Sequence, residues 1–117
     1  MDVYLILRIL SHDEKTVGDE SPFLIFVQKN SDLPSVKIEH PCNFEALLRS
    51  ELDKHIYNVD VALGTKSFST IKTTEQRTEI YFNIFTNSTG CKDTGSFVKF
   101  NKRSMELYRF SNMQGRK

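Results

Sequence analysis

The sequence predicts an α+β domain, α/β/α sandwich-like, with a mixed sheet of about six strands, one main helix over about 43–56 and a short C-terminal helix over about 102–110. Three observations lead there. The stretch from Phe44 to Ile56 holds the clear helical period, with Phe44, Leu47, Leu48, Leu52 and Ile56 repeating at i, i+3 and i+4. Short apolar runs broken by turn residues fill most of the remainder. Two of those runs, Val3–Leu10 and Phe23–Val27, are apolar at successive positions, as strands covered on both faces are.

Taken in order, Val3–Leu10 is the first strand and the polar, acidic stretch Ser11–Ser21 a surface loop. Pro22 opens the second strand, Phe23–Val27. Asn30-Ser31-Asp32-Leu33-Pro34 is a turn cluster. Val36 and Ile38 alternate with Lys37 and Glu39, which predicts a half-exposed third strand. His40-Pro41 breaks the pattern, because a residue before proline is pushed out of helical conformation.

Asn43 then fits an N-cap, Glu45 suits the positive end of the helix dipole, and Tyr57-Asn58 suits a stop. Val59, Val61 and Leu63 alternate with Asp60 and Ala62, predicting a fourth strand that continues past Gly64 to Ile71. Lys72–Thr78 reads as a hairpin tip. In the fifth strand Ile80, Phe82 and Ile84 face one way and Tyr81, Asn83 and Phe85 the other. Asn87–Ser96 reads as a loop and Phe97–Phe100 as a sixth strand. Asn101 would cap the final helix, and residues 111–117 would form a loose tail.

With 117 residues, the chain is expected to be a single domain spanning 1–117. A net charge of +1 gives no global electrostatic footprint. The charge is uneven, however. Residues 99–117 hold six basic groups against one acid, a net of +5, and the preceding 98 residues carry −4. Lys99, Lys102, Arg103 and Arg109, interleaved with Phe100, Tyr108 and Phe110, are therefore the candidate phosphate- or partner-binding residues. Cys42 and Cys91 are too few for a disulfide framework and lack metal-ligand spacing. No apolar run reaches membrane-spanning length, since the Val3–Leu10 run is short and contains Arg8. Asn87-Ser88-Thr89 matches a glycosylation pattern without a secretory signal beside it. An intracellular location, cytoplasmic or nuclear, is expected.

The element order resembles the Nudix fold. FLIFVQKN is similar to its second strand, EALLRSEL to its catalytic helix and NVDVALGTKSF to the strand leaving that helix. RTEIYFNIF resembles its long apolar strand and FVKFNKRSMEL its closing strand and helix, so the likeness runs from Val3 to Phe110. The family's chemistry clusters glutamates on one helical face to hold Mg²⁺ or Mn²⁺ against a pyrophosphate. Here the aligned positions are Arg49, Glu51, Asp53, Lys54 and His55. Aligning Glu51 leaves Lys54 and His55 where two glutamates belong. Aligning Arg49 leaves Asp53 and Lys54 there. An ammonium group beside a divalent cation is repulsive. The Gly-Gly element is also missing, since Lys37–Pro41 reads KIEHP.

The resemblance thus implies a degenerate box with no metal, no cofactor and no catalytic residue. It implies a non-catalytic binding or regulatory module, a small subunit in a protein or RNA–protein assembly, with no membrane partner. The alternatives are a divergent nucleotide pyrophosphohydrolase, an OB-like nucleic-acid-binding barrel, or a thiol enzyme using Cys42 at the helix start. Glu51 and His55, at i and i+4, can meet as a dyad, but an exposed helix pair is the expected reading.

Overall fold

The computed structural model describes residues 2–13, 15 and 23–99. It contains a six-stranded mixed sheet and two helices, in the order β1 (Asp2–His12), β2 (Phe23–Gln28), β3 (Ser35–Ile38), α1 (Phe44–Asp53), α2 (Val59–Gly64), β4 (Lys66–Thr73), β5 (Arg77–Thr86) and β6 (Gly95–Lys99). The helix expected over 102–110, the tail 111–117 and most of the loop 11–21 lie outside the described residues, as does Phe100.

β1 is the central strand. One edge runs parallel to β5 along its length, from Asp2 opposite Arg77 to Ser11 opposite Thr86. Its other edge is shared. Val3–Ile6 pair antiparallel with β3, and Leu10–His12 pair with β2. Between the two, the Leu7 amide donates to the Pro34 carbonyl at 2.9 Å, so the ladder keeps its hydrogen bonds where the partner changes. The strand order is β4-β5-β1-β2-β6, with β3 beside β1.

Alternation along β1 divides the core. Leu5, Leu7 and Ile9 face the helices and pack with Phe26, Ile84, Leu48, Leu52 and Ile56. Ile6 and Leu10 face the other way, with Ile25, Leu33 and Tyr81. Each fully buried aliphatic side chain contributes about 1.5–3 kcal/mol, so Leu48 and Leu52 seat α1 and Ile56 anchors the turn that follows it. Its N-terminus is capped as expected, with Asn43 Oδ1 accepting from the Glu45 amide at 2.8 Å. Phe44, the first residue of the expected apolar stripe, is instead 41 % exposed.

Two boundaries differ from the sequence reading. α1 ends at Asp53, capped by Lys54, and not at Ile56. His55 is in a turn, and Ile56 leaves the helix to bridge Cys91, keeping its side chain buried. The strand expected over Val59–Leu63 is the helix α2. Its buried residues are Val59, Ala62 and Leu63, spaced i, i+3 and i+4, while Val61 faces solvent. The apparent alternation came from residue identity and not from burial. The strand begins only at Lys66, and β4 and β5 turn through Thr74, whose hydroxyl accepts from the Gln76 and Arg77 amides.

Gly95 has a steric role. It lies opposite Gln28 at the start of β6. A Cβ there would be driven into the Val27 carbonyl oxygen and would lie 2.8 Å from Gln28 Cα and 2.9 Å from Phe26 Cζ. Only glycine lets the two backbones approach this closely.

Candidate functional site

The helix residues singled out in the sequence are all described, and each charged group among them has a partner. Arg49 Nη1 lies 2.6 Å from Asp60 Oδ1 and ties α1 to α2 at the surface. Asp53 Oδ1 lies 3.8 Å from Lys92 Nζ, which also donates to the Asp53 carbonyl at 2.5 Å. Lys54 Nζ donates to Glu51 Oε1 at 3.2 Å. His55 Nε2 stands 2.9 Å from Glu51 Oε2. Each oxygen of the Glu51 carboxylate thus has a neighbouring donor of its own.

The expected exposed pair of Glu51 and His55 is in fact buried, at 7 % and 3 % exposure. The helical spacing brought the two together, but long-range packing covers them. The Phe26 ring lies 5.0 Å from the His55 ring, and Thr94 closes over it from the loop between β5 and β6. The Lys92 amide donates to the His55 carbonyl at 2.7 Å, fastening that loop to the end of α1.

His55 Nδ1 lies 2.6 Å from Thr94 Oγ1, completing a carboxylate–imidazole–hydroxyl chain. An ionised carboxylate only accepts, so Nε2 carries a proton and donates to Glu51. In the neutral ring Nδ1 then accepts from the Thr94 hydroxyl. If the ring is protonated, Nδ1 donates instead, and the hydroxyl can turn toward the Lys54 carbonyl, 3.4 Å away. Both protonation states are satisfied, which suits a fastener. Burial acts to raise the pKa of Glu51, but the hydrogen bonds from His55 and Lys54 outweigh it and hold the carboxyl below its ordinary range.

On the opposite face of the sheet lies a second polar group that the sequence reading did not foresee. Arg8, 2 % exposed at the middle of β1, donates through Nη2 to Ser69 Oγ at 2.5 Å and lies over the Tyr81 ring at 5.1 Å. The Tyr81 hydroxyl donates to Glu79 Oε1 at 3.0 Å, and Arg77 grips Glu79 Oε2 through Nε at 3.0 Å and Nη2 at 2.6 Å. Arg77 in turn covers Tyr4 at 4.5 Å. The result is an alternating row of guanidinium, phenol and carboxylate groups across β4, β5 and β1. Its sequence signal was the one charge inside the first apolar run, Arg8.

Of the basic candidates, Lys99 ends β6, with its Nζ 4.0 Å from Asp13 Oδ2. Lys102, Arg103 and Arg109 lie outside the described residues. Cys42 is exposed and Cys91 half-buried, and neither forms a disulfide. Among the described residues, no group of three or more His, Cys, Asp or Glu side chains could hold a metal ion. No helix among them is long and apolar enough to cross a membrane. No protein-family model matches the chain, and no curated protein matches it.

Proposed function

We propose that the chain is a non-catalytic binding or regulatory module with a Nudix-like arrangement. It would serve inside the cell, in the cytoplasm or nucleus, as a small subunit of a protein or RNA–protein assembly. One observation carries the reading: the Glu51 carboxylate at the aligned box is buried against His55, and its charged neighbours on the helix are already paired. Glu51 accepts from Lys54 and His55, Arg49 pairs with Asp60, and Asp53 pairs with Lys92. A hydrolytic box needs carboxylates open to a divalent cation, which takes oxygen donors. Seating an ion at Glu51 would require displacing an ammonium group and a buried imidazole.

The sandwich arrangement belongs to this reading. It would include the helix expected over 102–110, which lies outside the described residues. The +5 charge of 99–117 supports an acidic or phosphate-bearing partner.

Phosphate release from a panel of nucleotides with Mg²⁺ tests the reading. Release no greater than from buffer is expected. Activity abolished by Glu51→Gln would overturn it. In partner or RNA capture at rising salt, charge reversal at Lys102 and Arg103 is expected to weaken binding and flatten its salt dependence. Unchanged capture would remove that segment as the contact.

A further inference from the structure

β4 is an edge of the sheet among the described strands, and Phe68 and Ile71 on it are 58 % and 54 % exposed. An apolar edge strand invites pairing with another strand unless something blunts it, and bulges and lysines are the common blunting devices. β4 carries both, yet their placement here favours one particular pairing.

The pairing with β5 shifts register between Phe68 and Thr70, so Ser69 is an extra residue and Ser69 and Thr70 together oppose Tyr81. Phe68 lies opposite Phe82 and Ile71 opposite Ile80, both of which pack against the helix-side core. Phe68 and Ile71 therefore share a face although they are three apart, a spacing that puts side chains on opposite faces of a regular strand. Thr70 lies opposite Tyr81, and Ser69 reaches Arg8 over Tyr81, on the other face.

The order of faces along Lys66–Thr73 consequently reads the same from either end, with the bulge at the middle. That is the condition for a strand to pair antiparallel with itself about a two-fold axis. We propose that β4 pairs with β4 of a second copy of this chain, in the register that sets Phe68 opposite Ile71 of the other copy. This goes beyond the binding-module reading and does not depend on it.

In that register the side chains suit one another. Two aromatic–aliphatic pairs form on the helix side, an arrangement that stabilises antiparallel ladders. Ser69 meets Thr70. Lys72 meets Ser67 and Lys66 meets Thr73, so no lysine faces a lysine. Lys66 is already held by Glu45, with Nζ to Oε1 at 2.6 Å, and brings no uncompensated charge to the seam.

Sedimentation of the full chain across a concentration series tests this. A monomer–dimer equilibrium is expected. Phe68→Lys alone and Ile71→Glu alone should each weaken it roughly tenfold or more, since each spoils both central pairs of the homodimer. Mixing the two variants should restore association, because the mixed dimer keeps one Phe–Ile pair and gains one Lys–Glu pair. Ser67→Glu, which faces Lys72, should tighten the wild-type dimer in a salt-sensitive way. Circular dichroism on each variant establishes that it is folded. A chain that stays monomeric at all concentrations overturns the proposal. So does a dimer unaffected by these substitutions, or a mixture that fails to reassociate.

Discussion

Replacing Glu51 by Ala is expected to lower stability by about 2–3 kcal/mol, because His55 Nε2–H would then be buried with no acceptor. Arg49→Ala, on the same helix, should cost no more than about 0.5 kcal/mol, since its pair with Asp60 is exposed to solvent. The contrast matters more than either value. A carboxylate kept for catalysis can usually be removed at little cost in stability, whereas removing one that fastens a helix lowers stability measurably. Chemical denaturation of both variants measures the difference. Thr94→Val should fall between them, at about 1–2 kcal/mol, since it leaves His55 Nδ1 without its partner at near-constant volume.

The same carboxylate sets a pH dependence. Glu51 titrates lower in the folded chain than its ordinary value of 4.5. The unfolded chain therefore takes up the proton first as pH falls. The stability Glu51 contributes is fully present above the ordinary carboxylate range and is lost as pH drops through the folded value. Glu51→Gln should lose that component of acid sensitivity, which denaturation midpoints at several pH values would reveal.

Gly95→Ala is the second large effect expected, at about 3 kcal/mol. The added methyl would meet backbone, the Val27 carbonyl and Gln28 Cα, which cannot rotate away as a side chain would. Relief requires β2 and β6 to separate, weakening the pairs from Leu24–Lys99 to Gln28–Gly95. For a domain of this size the melting temperature should fall by roughly 10 °C, a shift that calorimetry resolves. Gly64 provides the control, because a Cβ there meets nothing within 4 Å.

Much of this architecture was legible in the sequence where local chemistry decides it. The Asn43 cap, the Leu48–Leu52–Ile56 seam and the two-sided burial of β1 each follow from pattern alone. The error over Val59–Leu63 arose because a six-residue helix shows less than two turns of period, and alternating apolar identity imitated a strand over so short a span. Burial of Glu51 and His55 could not be read locally. It depends on Phe26 and Thr94, far along the chain, folding over the helix end. Thr94 carries no local signal at all. Arg8 did carry one, since a charge in a strand covered on both faces needs partners. Those partners, Ser69 and Tyr81, come from strands that only the parallel pairing of β1 with β5 brings near.

If Glu51 fastens the end of α1 to His55, residues 49–55 offer a divalent ion no seat. Titrating Mn²⁺ into isotope-labelled protein tests this most directly, since a bound paramagnetic ion broadens the amide resonances around it. No selective, saturable broadening is expected over residues 49–55. Saturable broadening centred on Glu51, and lost in Glu51→Gln, would contradict it.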